Sequence, residues 1–335
     1  MKKNEYKVHV FTGIRPSGGL TIANVIGSVN TIVSLQREKK IERPMVFVAD
    51  LHAITDAKPE DTQKYVVDII KDYFALGLDK DNCDVFIQSH LIEEISELNL
   101  YLSRLISISE LLRVPTLKEK IKRNIDVSNA SLLLAMYPVM MSCDILLQKA
   151  EYVPVGEDQS AHIEMARYLA KRFNSEHGEV FPMPKMLSLG EPVRIMSLIG
   201  EGKMSKSNPN GAILLDDPVD VSLNKVKRAQ SAFAGEMSES LDSLIKIGKF
   251  VSDESGQKKI DELVSKHMNG EGVMKELKDV IMESLRKYLT DFQEKKSQMS
   301  DSEVLEIAEK GGMIAKKNAK ETIQKVRDAV GLKYI

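Results

Sequence analysis

The chain has 335 residues, 43% hydrophobic and 29% charged, enough to bury a sizeable core and, by size, to form roughly two domains. Its formal net charge is only −2, so nothing global advertises a polyanionic partner, and any nucleic-acid surface has to be local. Cys83 and Cys143 are too few and too far apart for a zinc cage or a disulfide framework, and a charged start without a hydrophobic signal core, with no apolar run near the ~20 residues of a membrane span, points to a cytoplasmic protein with no membrane partner.

In chain order, Lys7 to Phe11 alternate polar and apolar residues and predict a first strand. Thr12 to Gly19 break it, and Thr21-Ile22-Ala23-Asn24 open an apolar-periodic helix. Strand, glycine loop and helix together present backbone N–H groups to an anion and let a nucleotide approach the backbone. Pro44 to Asp50 form a continuous apolar run, as in a strand buried on both faces. Proline and acids at Lys58 to Asp61 then start a helix that Gly77 ends. Asp84 to Gln88 read as a third strand, Glu93 to Leu112 and Ser128 to Lys149 as helices, Tyr152 to Gly156 as a further strand, and Asp158 to Phe173 as a helix. Such alternation predicts an α/β fold with a doubly wound parallel sheet, whose ligands bind beyond the carboxyl ends of its strands.

The helix over 128–149 carries one acid, Asp144, in an otherwise apolar segment, and a buried carboxylate needs a partner or a task. A core ion pair or a turn cap would also satisfy it. Further on, Lys203-Met204-Ser205-Lys206-Ser207 place two ammonium groups and two hydroxyls beside Gly202, a flexible clamp suited to a triphosphate. A P-loop is excluded, because glycine is required where Ser197 stands and serine or threonine where Met204 stands; a GxGxxG fingerprint is absent as well. From Asp216 onward the pattern is helical throughout, with stretches near 222–233, 240–251, 258–268, 273–294 and 301–330. Lysines and arginines dominate after Lys310, and charge counting alone leaves a solvated helix face and a nucleic-acid surface equally open.

Taken together, Thr21 to Asn24 after the glycine loop and Lys203 to Ser207 resemble the HIGH and KMSKS signatures of class I aminoacyl-tRNA synthetases, and the run from Phe11 to Pro209 is similar to the bacterial-type tryptophanyl enzymes. The resemblance implies a Rossmann-like catalytic domain over 1–207 and an all-helical, anticodon-binding domain over 208–335. It implies ATP with Mg2+ as cosubstrate, L-tryptophan and tRNA(Trp) as further substrates, and a homodimer. Some 180 residues separate the two signatures, too few for a large editing insertion. A tyrosyl enzyme shares fold and loops, and a paralogue that binds tryptophan or nucleotide without charging tRNA is a third reading.

Carried over residue by residue, the resemblance assigns catalysis to Lys203, Lys206 and Asn24. ATP binding falls to Arg15, Pro16, Ser17, Ala23, Asn24, Gly156, Glu157, Asp158, Ile195 and the five residues Lys203, Met204, Ser205, Lys206 and Ser207. Tryptophan binding falls to Phe11, Gly13, His52, Tyr137, Met141, Asp144, Val153, Val155 and Gln159, with Asp144 accepting the indole N–H, Met141 lining the ring and His52 near the substrate carboxylate. No resident metal site is expected. Lys120 and Arg123 could reach phosphates or simply end a solvated helix, and His162 reads as a helix residue oriented by its neighbours rather than a base. The family commonly has glutamine where Arg15 stands and glycine where Ala23 stands; the first change brings a guanidinium to an anion site, the second a methyl beside adenine.

Overall fold

Strand β1 (Phe11–Ile14) pairs in parallel with β2 (Met45–Val48), and β2 with β3 (Asp84–Ile87), in register Phe11–Met45–Asp84. This computed structural model describes residues 10–55, 57–118, 131–154, 160–187 and 193–332. A second parallel pair, β4 (Tyr152–Pro154) and β5 (Lys185–Leu187), meets β1 through a single bridge between Val10 and Tyr152. The spatial order is therefore 3-2-1-4-5, and the order reverses between β1 and β4. In open sheets of this kind, ligands bind in the crevice beyond the strand ends at such a reversal.

Side chains alternate between two cores, as a sheet covered on both faces requires. Val10, Val46, Val48 and Val85 face one core with α2 (Asn30–Arg37) and α4 (Pro59–Ala75). Phe11, Met45, Phe47 and Phe86 face the other, built by α5 (Ile92–Ser103), α7 (Leu132–Leu147) and α8 (Ser160–His177). The phenylalanines stack across the three strands, with centroids 4.8 Å apart for Phe11–Phe47 and 5.8 Å for Phe47–Phe86. Cys83 and Cys143 are free and buried, and burial pushes the Cys83 thiol up to about 12.

Two local features depart from the sequence expectation. β1 continues through Thr12 and Gly13 to Ile14, because Gly13 sits opposite Phe47 and gives that ring the space a side chain would fill. The helix that follows is uneven: α1 (Ile22–Asn24) runs into a π-turn (Val25–Val29) before α2, and such insertions recur at functional sites. Short helices α3 (Asp50–Ala53) and α6 (Ile108–Leu111) complete the first part.

Beyond residue 208, α9 (Val219–Arg228), α10 (Glu239–Val251) and α11 (Glu254–Met268) pack around α12 (Met274–Ser297). Helix α13 (Asp301–Val330) leaves that group and returns to the sheet. It covers β3, which among the described residues pairs only with β2, with Val304 and Ala308 in one core and Ala315, Ala319 and Ile323 in the other. Gly311 permits the crossing: a Cβ there would lie 2.1 Å from the Val85 carbonyl oxygen. An exposed sheet edge is thereby capped by a helix. The last helix thus packs on the sheet rather than on the helical group that precedes it. Its basic residues are partly neutralised from α5: Arg327 makes a two-pronged pair with Glu97 at 2.6 and 2.7 Å, and Lys316 lies 3.2 Å from Glu93.

Candidate functional site

The glycine loop leaves β1 at the reversal point and ends at Thr21, which caps α1. Thr21 Oγ1 accepts from the Asn24 N–H at 3.2 Å, and Asn24 Oδ1 in return accepts from the Thr21 N–H at 3.0 Å. This reciprocal box fixes the helix start at the end of the loop. Asn24 is exposed and Ala23 partly so, while Pro16 is buried and Ser17 exposed. Arg15 turns toward α3 and donates from a terminal guanidinium nitrogen to the Ala53 carbonyl at 2.9 Å; burial draws its pKa down.

The KMSKS residues lie on a hairpin. Met196 pairs with Lys203, the Met204 N–H donates to the Ile195 carbonyl at 3.0 Å, and Gly200 and Gly202 take φ of 74° and 94° at its tip. Ile195 and Met204 are buried beneath it, so the turn is anchored by its apolar members while Lys203 and Ser207 face solvent. Ser205 and Ser207 hydroxyls share a 2.9 Å hydrogen bond. Lys206 reaches across the crevice: its Nζ donates to the Gly18 carbonyl at 2.9 Å and to the Ser17 carbonyl at 3.2 Å. Burial lowers the Lys206 pKa, partly offset by the field of Asp72. Two loops 189 residues apart in sequence are thus joined by one ammonium group.

On the other face of the sheet, α7 is apolar on nearly all sides and therefore buried. Asp144 on this helix is 5% exposed and accepts three hydrogen bonds at 2.9 Å: one from His52 Nε2 and two from Gln88 Nε2, which bridges both carboxylate oxygens. The Gln88 oxygen accepts from the His52 N–H at 3.3 Å, closing a triangle among α3, the end of β3 and α7. Burial raises the Asp144 pKa, and His52 and then Gln88 pull it back. A carboxylate offers about four acceptor directions, so one more donor can still be received. His52, expected near a substrate carboxylate, is engaged with Asp144. Gln88, fully buried, was not anticipated: an amide after a strand carries no signal until α7 is folded against it.

Of the remaining expected residues, Tyr137 donates to Thr116 Oγ1 at 2.9 Å and stands edge-on to His162, 5.5 Å between ring centres; His162 Nε2 meets the same hydroxyl at 3.1 Å. His162 is oriented by neighbours, as its sequence context suggests. Met141 is half-buried one turn before Asp144, and Phe11 and Val153 are buried in the adjoining core. Val155, Gly156, Glu157, Asp158, Gln159, Lys120 and Arg123 lie outside the described residues.

A glycine loop tied to a KMSKS lysine at the switch point of a 3-2-1-4-5 sheet matches one family in particular. The family model for class I tRNA synthetases (W and Y) aligns with residues 2–290. The chain belongs to this family. Two curated relatives, both tryptophan–tRNA ligases, are 36% identical in Prochlorococcus marinus, covering 97% of each chain, and 35% identical in Caldanaerobacter subterraneus, covering 96% of this chain and 98% of that one. The crystal structure of Campylobacter jejuni tryptophanyl-tRNA synthetase complexed with ADP and tryptophan superposes with a TM-score of 0.82 at 29% identity, over 96% of this chain and 99% of that one. The present synthetase is thus an aminoacyl-tRNA-forming enzyme with the class I fold, built over its full described length like its relatives.

Proposed function

We propose that the chain activates L-tryptophan with Mg-ATP to tryptophanyl-adenylate and pyrophosphate, then transfers the aminoacyl group to the 3′-terminal adenosine of tRNA(Trp). The observation that carries the reading is the 2.9 Å contact from Lys206 to Gly18, which unites the two signature loops at the mouth of the crevice. When the triphosphate enters, its oxygens replace the loop carbonyls as acceptors for Lys206, and Lys203, already in solvent, closes from the hairpin tip. Both ammonium groups then meet charge as it moves onto departing pyrophosphate, and the substrate carboxylate attacks the α-phosphorus in line. The chain contributes position and charge, so no general base is required.

Asp144 accepts the indole N–H. An indole is a large apolar body with a single donor, and a fixed acceptor at the end of an apolar helix reads that pattern. A phenol can also donate, but its hydroxyl lies on the long axis of a smaller ring. The tryptophan reading is further supported by the names of the relatives, all tryptophan–tRNA ligases. The helices over 219–297 are proposed to face the anticodon. Homodimerisation is supported by apolar side chains left exposed on α5, α6 and α7, among them Leu100 at 73% and Ile108 at 77%. The deciding experiment is ATP–pyrophosphate exchange with each amino acid. Exchange driven by tryptophan and not tyrosine supports the reading; exchange with tyrosine alone, or with neither, overturns it.

A further inference from the structure

Lys296, on α12, reaches out of the helical group into the boundary with the sheet domain. Its Nζ lies 2.7 Å from Asp72 on α4 and 2.7 Å from Asp216, in the segment that follows the KMSKS hairpin. Asp72 is 0% exposed and Lys296 is largely covered, with its ammonium 5.9 Å from the Phe292 ring centre. A buried ion pair of this kind is weak support for stability, since taking both charges out of water offsets their attraction; its attested use is to fix one arrangement over others.

What the arrangement fixes is visible next to it. Asp216 Oδ2 presses on Gly19 so closely that a Cβ there would stand 2.8 Å away. Gly19 follows Gly18, whose carbonyl holds Lys206 and whose φ is 99°. The same helical group also braces the other partner of that contact. Ser243 Oγ accepts from the Met196 N–H at 2.8 Å, and Ser240 Oγ donates to the Ser197 carbonyl at 2.9 Å, both on the hairpin that carries KMSKS. The glycine loop and the hairpin are therefore each referred to α10–α12, and not only to each other.

We propose that Lys296, held between Asp72 and Asp216, is a positioning residue for ATP activation: it sets the glycine loop against the KMSKS lysine from a domain that does not itself touch the nucleotide. The inference rests on the ATP reading of the two loops. Breaking the junction lets the glycine loop and hairpin drift relative to each other, and a displacement of about 1 Å in such a site costs up to about 100-fold in rate. The tryptophan side, referred to α3, β3 and α7, is left in place.

The test is a double variant, Asp72→Asn with Lys296→Met, which removes both buried charges together and avoids stranding either. The expected result is a fall of about 10- to 100-fold in kcat/KM for ATP in tryptophan-dependent exchange, with tryptophan affinity unchanged. Unchanged ATP parameters in the folded double variant, or a parallel loss of tryptophan affinity, overturn the proposal. Should that variant not fold, Gly19→Ala and Asp216→Asn probe the same contact from the exposed side, and wild-type ATP parameters in both overturn it equally. ATP binding measured by calorimetry reads the same split without turnover, so a failure of this inference is distinguishable from a failure of the proposed reaction, which wild-type exchange decides.

Discussion

The acid on α7 and the lysine of the KMSKS hairpin are both proposed to meet substrate, but they hold their charge in opposite ways. Asp144 is buried, and side chains from two other elements donate to it, so its oxygens are aimed before any ligand arrives. Lys206 is tied to backbone carbonyls of a glycine loop, acceptors that a phosphate can displace, and it stands on a hairpin whose tip is formed by glycines with positive φ. The first arrangement suits recognition, where a pre-aimed partner discriminates by leaving buried groups unpaired when the wrong ligand binds. The second suits catalysis, where charge has to follow charge. The difference fits the proposed division of labour: selection and activation would fall to separate halves of the site, anchored in the two cores on opposite faces of the sheet.

Removing the moving charge should do the most. Lys206→Ala is expected to lower the adenylation rate by about 10²- to 10³-fold, the scale of losing one group that stabilises a transition state, while tryptophan affinity holds; pre-steady-state adenylate formation checks it. Equal losses in both would erase the division between the halves. Asp144→Ala should produce the mirror image, weakening tryptophan by on the order of 10²-fold, because the indole loses its acceptor and Gln88 loses its buried one.

Protonation touches the nucleotide half through Asp72, whose pKa burial raises to about 6, with Lys296 working against that rise. The folded value lies above the ordinary 3.8, so the native state holds this proton more tightly than the unfolded chain. The resulting stabilisation is complete below pH 4 and fades as pH rises through about 6, by up to about 3 kcal/mol. Melting temperatures of wild type and Asp72→Asn across that range should diverge, the variant lacking the decline; parallel curves would contradict it.

Two smaller effects sharpen the tryptophan half. Gly311→Ala should cost about 1–3 kcal/mol of stability, read by denaturant unfolding, since the new methyl meets the Val85 backbone on the strand that delivers Gln88. Gln88→Leu leaves Asp144 with His52 alone and should lower tryptophan affinity by a factor set by about 1 kcal/mol, with ATP KM unaffected.

Much of this was legible beforehand, and the boundary of legibility has physical causes. The strands at 45–48 and 84–87 announce themselves as apolar runs, the helix at 59–75 by its proline and acids, and the lone acid of α7 by its cost in an apolar segment. KMSKS is readable because the chemistry sits in consecutive residues. Gln88, Asp72 and Lys296 are not, because each acquires its meaning from partners 36 or more residues away and resembles any polar residue beside a strand or on a helix. The return of α13 to the sheet is a middle case. Its amphipathic period is the same wherever it docks, yet Gly311-Gly312 inside a helix is a signal of close backbone approach that sequence alone offers. Asn24 was expected in the catalytic set; its visible work is to close the cap of α1 with Thr21.

The division between a fixed acid and a moving lysine has one direct test, helped by the absence of tryptophan from the chain. Titrating L-tryptophan and following indole fluorescence in wild type, Lys206→Ala and Asp144→Ala isolates recognition from chemistry. Saturable shifts of the same midpoint are predicted for wild type and Lys206→Ala, and none for Asp144→Ala in the same range. A normal titration by the Asp144 variant, or a lost one by the Lys206 variant, would contradict the account.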